Sequence, residues 1–351
     1  YIGYYFFYLF SSGLKPINTR DVPIGYQIKF AWLLFYCYAM FQLFPNLRTL
    51  PSANQLMMPL CYMSIGILSL QALNRKLSYL NLIIFAFAVV FVLANLLLSG
   101  SLAPIVLFLI FLGIIYWNKK RSLPWMCIVL CLLIAFILNP IKSKFRDNTW
   151  YAQDGAITYY DKALLLVRVL QEHYADSSVL EKVSSDKGIV YRLAHISTFA
   201  YVAAVTPHAV PYWSGDSYHT LWTSFIPRIF WPGKPQSTIG QDFGHRYGLL
   251  QTYDMGTSMN LPWIIEFYAN FGLWGVFIGM FSVGIFFRLL LQKLKVPVDY
   301  PIEHVLAITI TFSLFFAESN FALMVGGIFP IFIVFMVFIR LLSIIVTKIT
   351  K

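Results

Sequence analysis

Four cations stand where chemistry on an anion would need them. Arg192, Arg228, Lys234 and Arg246 each open an apolar or aromatic neighbourhood. In FIPRIFWPGKP, Arg228 lies between Pro227 and Pro232, with Trp231 beside it. Proline fixes the backbone, so side chains on such a loop have less freedom left to lose. A guanidinium is a planar fork of donors that matches phosphate oxygens. The pattern suits a clamp for a diphosphate at a membrane surface. The same residues would also serve as headgroup anchors or as ion-pair partners within the loop.

Groups that move protons stand nearby. GDSYH, residues 215–219, joins an acid, a hydroxyl, an aromatic ring and an imidazole. An imidazole titrates near neutral pH, so His219 and His195 suit a general base, or hydrogen-bond within an outer loop. Asp216 suits the same task, or caps a helix starting near Ser217. Glu266 lies about one turn into LPWIIEFYANFGLWGVFIG, with Asn270 four residues on and on the same face. A carboxylate in so apolar a segment is costly unless it meets a partner or a water-filled cavity. Arg192, Arg228 and Arg246 are the partners at hand, which leaves a catalytic acid and a structural ion pair both open. Gly272, Gly275 and Gly279 read as points of close helix approach. Glu318 and Asn320 fall at an outer junction between spans and could line the same cavity. There is no H-E-x-x-H, no close set of acids and no Cys/His set, so no metal site is expected. Cys37, Cys61, Cys127 and Cys131 fall in apolar runs and read as small buried hydrophobes.

The elements that hold these groups are apolar. Of 351 residues 59% are hydrophobic and 12% charged, and mean hydropathy is +0.69. Soluble domains are about a quarter charged. The composition therefore predicts an all-α polytopic membrane protein; a transmembrane barrel would show short alternating segments instead. The net charge of +11 is no sign of nucleic acid, because Lys and Arg gather at span ends.

A span takes about 20 apolar residues. Candidates run at 28–46, 54–73, 77–98, 101–117, 123–141, 261–288, 302–323 and 325–347. Residues 1–12 read as the tail of a span that begins further upstream, which gives about nine or more transmembrane helices. The basic loops (Lys15 and Arg20; Arg75 and Lys76; Lys119–Arg121; Arg288, Lys293 and Lys295; Lys348 and Lys351) all fall on one side by counting crossings. The positive-inside rule makes that side cytoplasmic.

Three parts follow: N-terminal membrane helices over 1–141, incomplete at their start; a large periplasmic or extracellular loop over 142–260; and C-terminal membrane helices over 261–351. The loop holds ten of the fifteen acids and five of the six histidines. At about 120 residues it is too long for a connector. Within it, 163–174 has helical apolar spacing and reads as a surface helix. Residues 193–212 read as a re-entrant or peripheral helix.

FIPRIFWPGKP followed by IIEFYANFGLWGVFIGMFSVG resembles the Wzy-like oligosaccharide repeat-unit polymerases, in the group that includes O-antigen polymerases and ligases. The resemblance covers 192–284 by motif and the whole chain by layout. It implies a fold similar to GT-C glycosyltransferases in the bacterial inner membrane, with the site on the periplasmic or extracellular face. It also implies a reaction without metal or cofactor, in which a glycan on a polyprenyl diphosphate moves to a second lipid-linked repeat unit. Arg192, Arg228, Arg246 and Lys234 would then meet the diphosphate, and His195, His219, Asp216 or Glu266 would supply the base. Tyr212, Trp213, Tyr218, Trp222 and Trp231 would offer flat faces to sugars. The implied partners are the lipid-linked donor and acceptor, membrane lipids, and chain-length regulator and flippase proteins.

Two rivals stay open. A ligase differs only in its acceptor, and would leave long lipid-linked chains on deletion where a polymerase would leave single repeat units. A transporter or flippase of lipid-linked sugars would show repeated halves and ionisable groups near mid-membrane; no repeat is visible here.

Overall fold

The computed structural model describes residues 23–44, 47, 53–150, 159–175, 195–224, 226, 231–235, 237–293, 301–314, 319–326, 328, 331 and 335. The described residues are helical or irregular, with no strand among them. They belong to two compact units. One takes Ile24–Leu43 and the described part of Leu60–Ile189, the other the described parts of Phe44–Pro59 and Val190–Lys351.

The first unit follows the sequence closely. Its helices are α1 (Ile24–Leu43), most of α2 (Ala53–Leu73), α3 (Tyr79–Leu97), α4 (Leu102–Lys120), α5 (Trp125–Leu138), α6 (Lys142–Trp150) and α7 (Tyr159–Ala175). Each span expected between 28 and 141 is a helix. α5 is shorter than expected, at 14 residues. Ser78 heads α3 and its side chain accepts from the Asn81 N–H. Lys119 and Lys120 end α4, and Arg121 closes it in a left-handed conformation. Cations are favoured at that end by the helix dipole. One face of α1 is buried through Gln27, Ala31, Leu34 and Tyr38. Gln71 Nε2 donates to Gln27 Oε1 at 2.6 Å, and Trp32 Nε1 to Asn81 Oδ1 at 3.1 Å. α5 buries no residue, and exposes Trp125, Met126, Val129, Leu132 and Phe136. Apolar surface of that extent suits lipid, not water. Cys61 is buried, Cys127 and Cys131 are half-buried, and Cys37 faces outward. Lys144 Nζ pairs with Glu172 at 2.7 Å and ties α6 to α7.

The second unit carries the candidate site. It contains α8 (Ile196–Val205), a short 3-10 turn (Asp216–Tyr218), α9 (Leu221–Ser224), α10 (Ile239–Arg246), α11 (Trp263–Lys293) and α12 (Pro301–Ser313), with 321–326 helical again. α8 has ten residues, about 15 Å of rise. It packs through Val202 on Ile239, Phe243 and Tyr247 of α10 and on Leu261, Ile265 and Ala269. Tyr201 Oη donates to the Tyr247 carbonyl at 3.0 Å. Part of the expected outer loop is therefore a folded helical layer, not a tether.

Among the described residues, three helices are long and apolar enough to cross a membrane: Tyr79–Leu97, Leu102–Lys120 and Trp263–Leu290. The last is not straight. Gly272 has φ 63° and ψ −150°, far outside helical values. A Cβ on Gly279 would sit 2.6 Å from the Phe267 ring, and the Trp263 and Phe287 rings lie 6.3 Å apart. In a straight helix those pairs would be about 18 and 36 Å apart. Residues 263–271 and 273–293 therefore form a helical hairpin with Gly272 at its apex. The glycines at 275 and 279 do admit a close neighbour, and it is the hairpin's own first limb. Trp274, Phe277 and Ile278 on the second limb are exposed, an i, i+3, i+4 stripe that suits lipid. The expected span at 302–323 is likewise two pieces, α12 and the helical residues 321–326. Most of 325–347 lies outside the described residues.

Candidate functional site

The apex of the hairpin organises the site. A helix leaves its last carbonyls without partners, and the break at Gly272 frees those of the first limb. Trp213 N–H donates to the Ala269 carbonyl at 2.9 Å, and Ser214 N–H to the Asn270 carbonyl at 3.2 Å. The chain then turns through Gly215, at φ 102°, into Asp216–Tyr218. Gly215 N–H donates to Asn270 Oδ1 at 2.9 Å.

That bond fixes the Asn270 amide. Its Nδ2 must face the other way, and it donates to Ser217 Oγ and to the Glu266 carbonyl, both at 2.8 Å. Ser217 Oγ, now an acceptor, donates its own hydrogen to Glu266 Oε1 at 2.8 Å. The other oxygen, Oε2, accepts the Phe321 N–H at 2.7 Å. Phe321 begins the helical residues 321–326, where N–H groups lack intrahelical partners. Asn320 caps the same turn, its Oδ1 accepting the Leu323 N–H at 2.9 Å. Glu266 is fully buried. Among the described residues its carboxylate meets neutral donors and no cation. Arg246, one of its expected partners, bonds elsewhere.

Aromatic rings close over this network. Tyr218 stacks on Phe271 at 6.4 Å and lies edge-on to Phe321 at 6.3 Å. Burial first, and the nearby Glu266 carboxylate second, push the Tyr218 phenol pKa well up. The phenol is therefore neutral over the working range and no base.

The loop's far end reaches solvent. Asp216 and His219 are both exposed. His219 Nδ1 is hydrogen-bonded to the Asp216 carbonyl. A carbonyl only accepts, so Nδ1 carries the proton and Nε2 of the neutral ring carries the lone pair. No side-chain cap bond runs from Asp216; Gly215 holds the cap position.

Arg246 ends α10 and is exposed. Its Nη2 donates to the Pro211 carbonyl at 2.7 Å, and its guanidinium lies 5.7 Å over the Trp213 ring. It therefore braces residues 211–213, directly before the loop that carries Asp216 and His219. Lys234 donates to the Ile226 carbonyl at 3.1 Å. His195 heads α8 at φ 39° and makes no described contact with Asp216, His219 or Glu266. Arg192, Arg228 and Glu318 lie outside the described residues. On the same layer, His245 Nε2 meets the Asp254 carbonyl at 2.9 Å. The Asp254 carboxylate accepts the Thr257 N–H at 2.9 Å and the Gly256 N–H at 3.1 Å. Hydrogen bonds from Thr257, side chain before backbone, hold its pKa below the usual range.

The site thus brings together Asp216, His219, Glu266 and Arg246 through one continuous stretch, 211–219. Ser217, Asn270 and the Phe321 N–H complete it; sequence reading met Ser217 only as the hydroxyl of GDSYH and did not single out Phe321. Comparison with known proteins finds a family model described as a domain of unknown function (DUF8712), matching residues 10–349. No curated protein and no solved structure matches the chain.

Proposed function

Because the chain belongs to the family described as a domain of unknown function (DUF8712), a description without chemistry, we propose its activity from the site. The protein is a membrane glycosyltransferase that joins polyprenyl-diphosphate-linked oligosaccharide repeat units into a polysaccharide. Its layout is that of a Wzy-like polymerase, with nine or more spans and the 142–260 segment on the outer face of a bacterial inner membrane.

One observation carries the reading. An exposed imidazole has its Nδ1 proton tied to a backbone carbonyl, so its free lone pair points away on Nε2. It sits on a loop bonded to the apex of an apolar hairpin, where a lipid-linked substrate would arrive. In the proposed reaction His219 Nε2 takes the proton of the acceptor hydroxyl. The hydroxyl oxygen forms the new glycosidic bond as the bond from the donor sugar to the diphosphate breaks. The bonding pair leaves with the diphosphate oxygen. Arg246, with Arg192, Arg228 and Lys234, meets the charge that develops there. Exposed Trp222 and Trp231 offer faces to sugar rings.

The test is made in the host. Stably produced His219→Ala and Arg228→Ala proteins are expected to shorten the polysaccharide ladder towards single repeat units. A positioned base contributes about 10²–10⁴-fold, so residual long chains should be scarce. Undiminished chain length in both variants would remove the reading. Accumulation of long lipid-linked chains would instead identify a ligase.

A further inference from the structure

We propose that Glu266 is a positioning residue, which with Asn270 holds Ser217 and so aims the His219 imidazole; this rests on the reading of His219 as the base. A buried acid in an apolar segment invites the opposite reading, in which Glu266 itself takes the proton. The hydrogen-bond directions argue against that. Both carboxylate oxygens already accept from donors: the Phe321 N–H, and the Ser217 hydroxyl, which itself accepts from Asn270 Nδ2. The side chain has no exposed surface, so an acceptor hydroxyl has no route to it.

The consequence runs along the loop. Ser217 lies two residues before His219 and is itself buried. Its hydroxyl is held from two sides, and Gly215 N–H is held by the same Asn270. Residues 213–217 therefore have five hydrogen bonds to the first limb of the hairpin, one each at Trp213, Ser214 and Gly215 and two at Ser217. His219 follows directly after Tyr218, an exposed side chain with its ring bonded back to the Asp216 carbonyl. A shift of the loop moves the imidazole with it.

Glutamine at 266 cannot replace the acid. It offers one acceptor oxygen to two donors, so either Phe321 N–H or the Ser217 hydroxyl loses its acceptor. Ser217→Ala removes the same link from the loop side with little change of volume. If Glu266 acts through Ser217, the two substitutions have the same effect and do not add.

The experiment uses the full chain in native membranes, which carry their own lipid-linked repeat units, with Glu266→Gln, Ser217→Ala and the double variant. Two quantities are read. One is the rate of diethyl pyrocarbonate modification of each histidine by mass spectrometry. The other is product formation against pH. Each single variant is expected to change the His219 rate about three- to tenfold, the weight of one hydrogen bond. His208 should stay constant, and the double variant should match the larger single effect. Product should fall by up to about 10²-fold, the scale for a misplaced group. The pH profile should keep its acid limb, because the base of the proposed reaction is still in place. Loss of that limb in Glu266→Gln, with Ser217→Ala unaffected, would make Glu266 the base and overturn the proposal. A parallel rise at every histidine would reduce the role to general stability and overturn it equally. Should His219→Ala leave product intact while the His219 rate shifts as described, the glycan-transfer reading falls and the clamp stands.

Discussion

Replacing Gly272 by alanine tests the hairpin on which the site is built. At φ 63° and ψ −150° the backbone occupies a region that only glycine adopts freely, and forcing another residue there costs about 1–3 kcal/mol. A Cβ would also fall 2.7 Å from the Tyr212 hydroxyl. That hydroxyl is the far end of a half-buried side chain and can swing aside, so the backbone term dominates. The chain's escape is to straighten. A continuous helix of 31 residues would be about 46 Å long, against about 30 Å of hydrocarbon. It would also reclaim the Ala269 and Asn270 carbonyls from Trp213 and Ser214, at about 1 kcal/mol each. Gly272→Ala is therefore expected to destabilise by about 2–3 kcal/mol, read as a lower unfolding midpoint in mixed micelles. A disulfide reports the geometry directly. The Cβ built on Gly279 lies 2.6 Å from Phe267 Cγ, so Phe267→Cys and Gly279→Cys bring their Cβ atoms within roughly 4 Å, inside the disulfide range. The pair should cross-link readily with Gly272 present and poorly with alanine there. Full cross-linking and an unchanged midpoint in the alanine background would refute the strain argument. No cross-link even with Gly272 would remove the hairpin itself.

Two further outcomes follow from contacts at the loop's edges. Arg246→Ala should change unfolding stability by less than about 1 kcal/mol, since one exposed bond and a cation–π contact are lost, yet should cut polymer length strongly; Arg246→Lys should recover little, because an ammonium lacks the fork. Unchanged chain length in the alanine variant would take Arg246 out of the substrate site. Asp254 has a depressed folded pKa, so its contribution to stability is present above the unfolded value of about 3.9 and is lost as pH falls through the folded one. The stability gap between the natural protein and Asp254→Asn should therefore narrow below about pH 4; a gap that widens on acidification would reverse the assignment.

Composition made the helices legible, because a run of some twenty apolar residues has few other solutions. The hairpin was hidden by the same signal. From Leu261 to Leu290 the sequence is mainly apolar, broken by Glu266, Asn270, Ser282 and Arg288, and hydropathy says nothing about φ. A cue did exist in Asn270-Phe271-Gly272, a glycine placed as helices place it just past their ends. The break inside the expected 302–323 span had a similar mark in Glu318-Ser319-Asn320, and Asn320 does cap the next helix. Glu266 could be singled out as an anomaly, but its partners could not. Ser217 is a small polar residue among many, and the Phe321 donor is a backbone N–H that any residue but proline would offer. Arginine was the natural partner to expect for a buried acid; among the described residues the partners are two neutral donors, which no charge pattern can reveal.

The two donors explain why an acid stands at 266 at all. The Phe321 N–H begins a helix and has no partner within it. The Ser217 hydroxyl accepts from Asn270 and places its own hydrogen on Glu266. Leaving either unsatisfied in an apolar interior costs about 1–3 kcal/mol. An alanine would strand both, and a glutamine one. Only a carboxylate can accept from both directions with a side chain of this length. Burying its charge is unfavourable, but each donor is strengthened by meeting an ion, and charge-assisted bonds are roughly twice as strong as neutral ones. A structural demand thus accounts for the residue without any chemistry being asked of it. In the proposed reaction, proton transfer falls instead to the exposed end of the loop, where the lone pair of His219 meets solvent and Asp216 stands beside it.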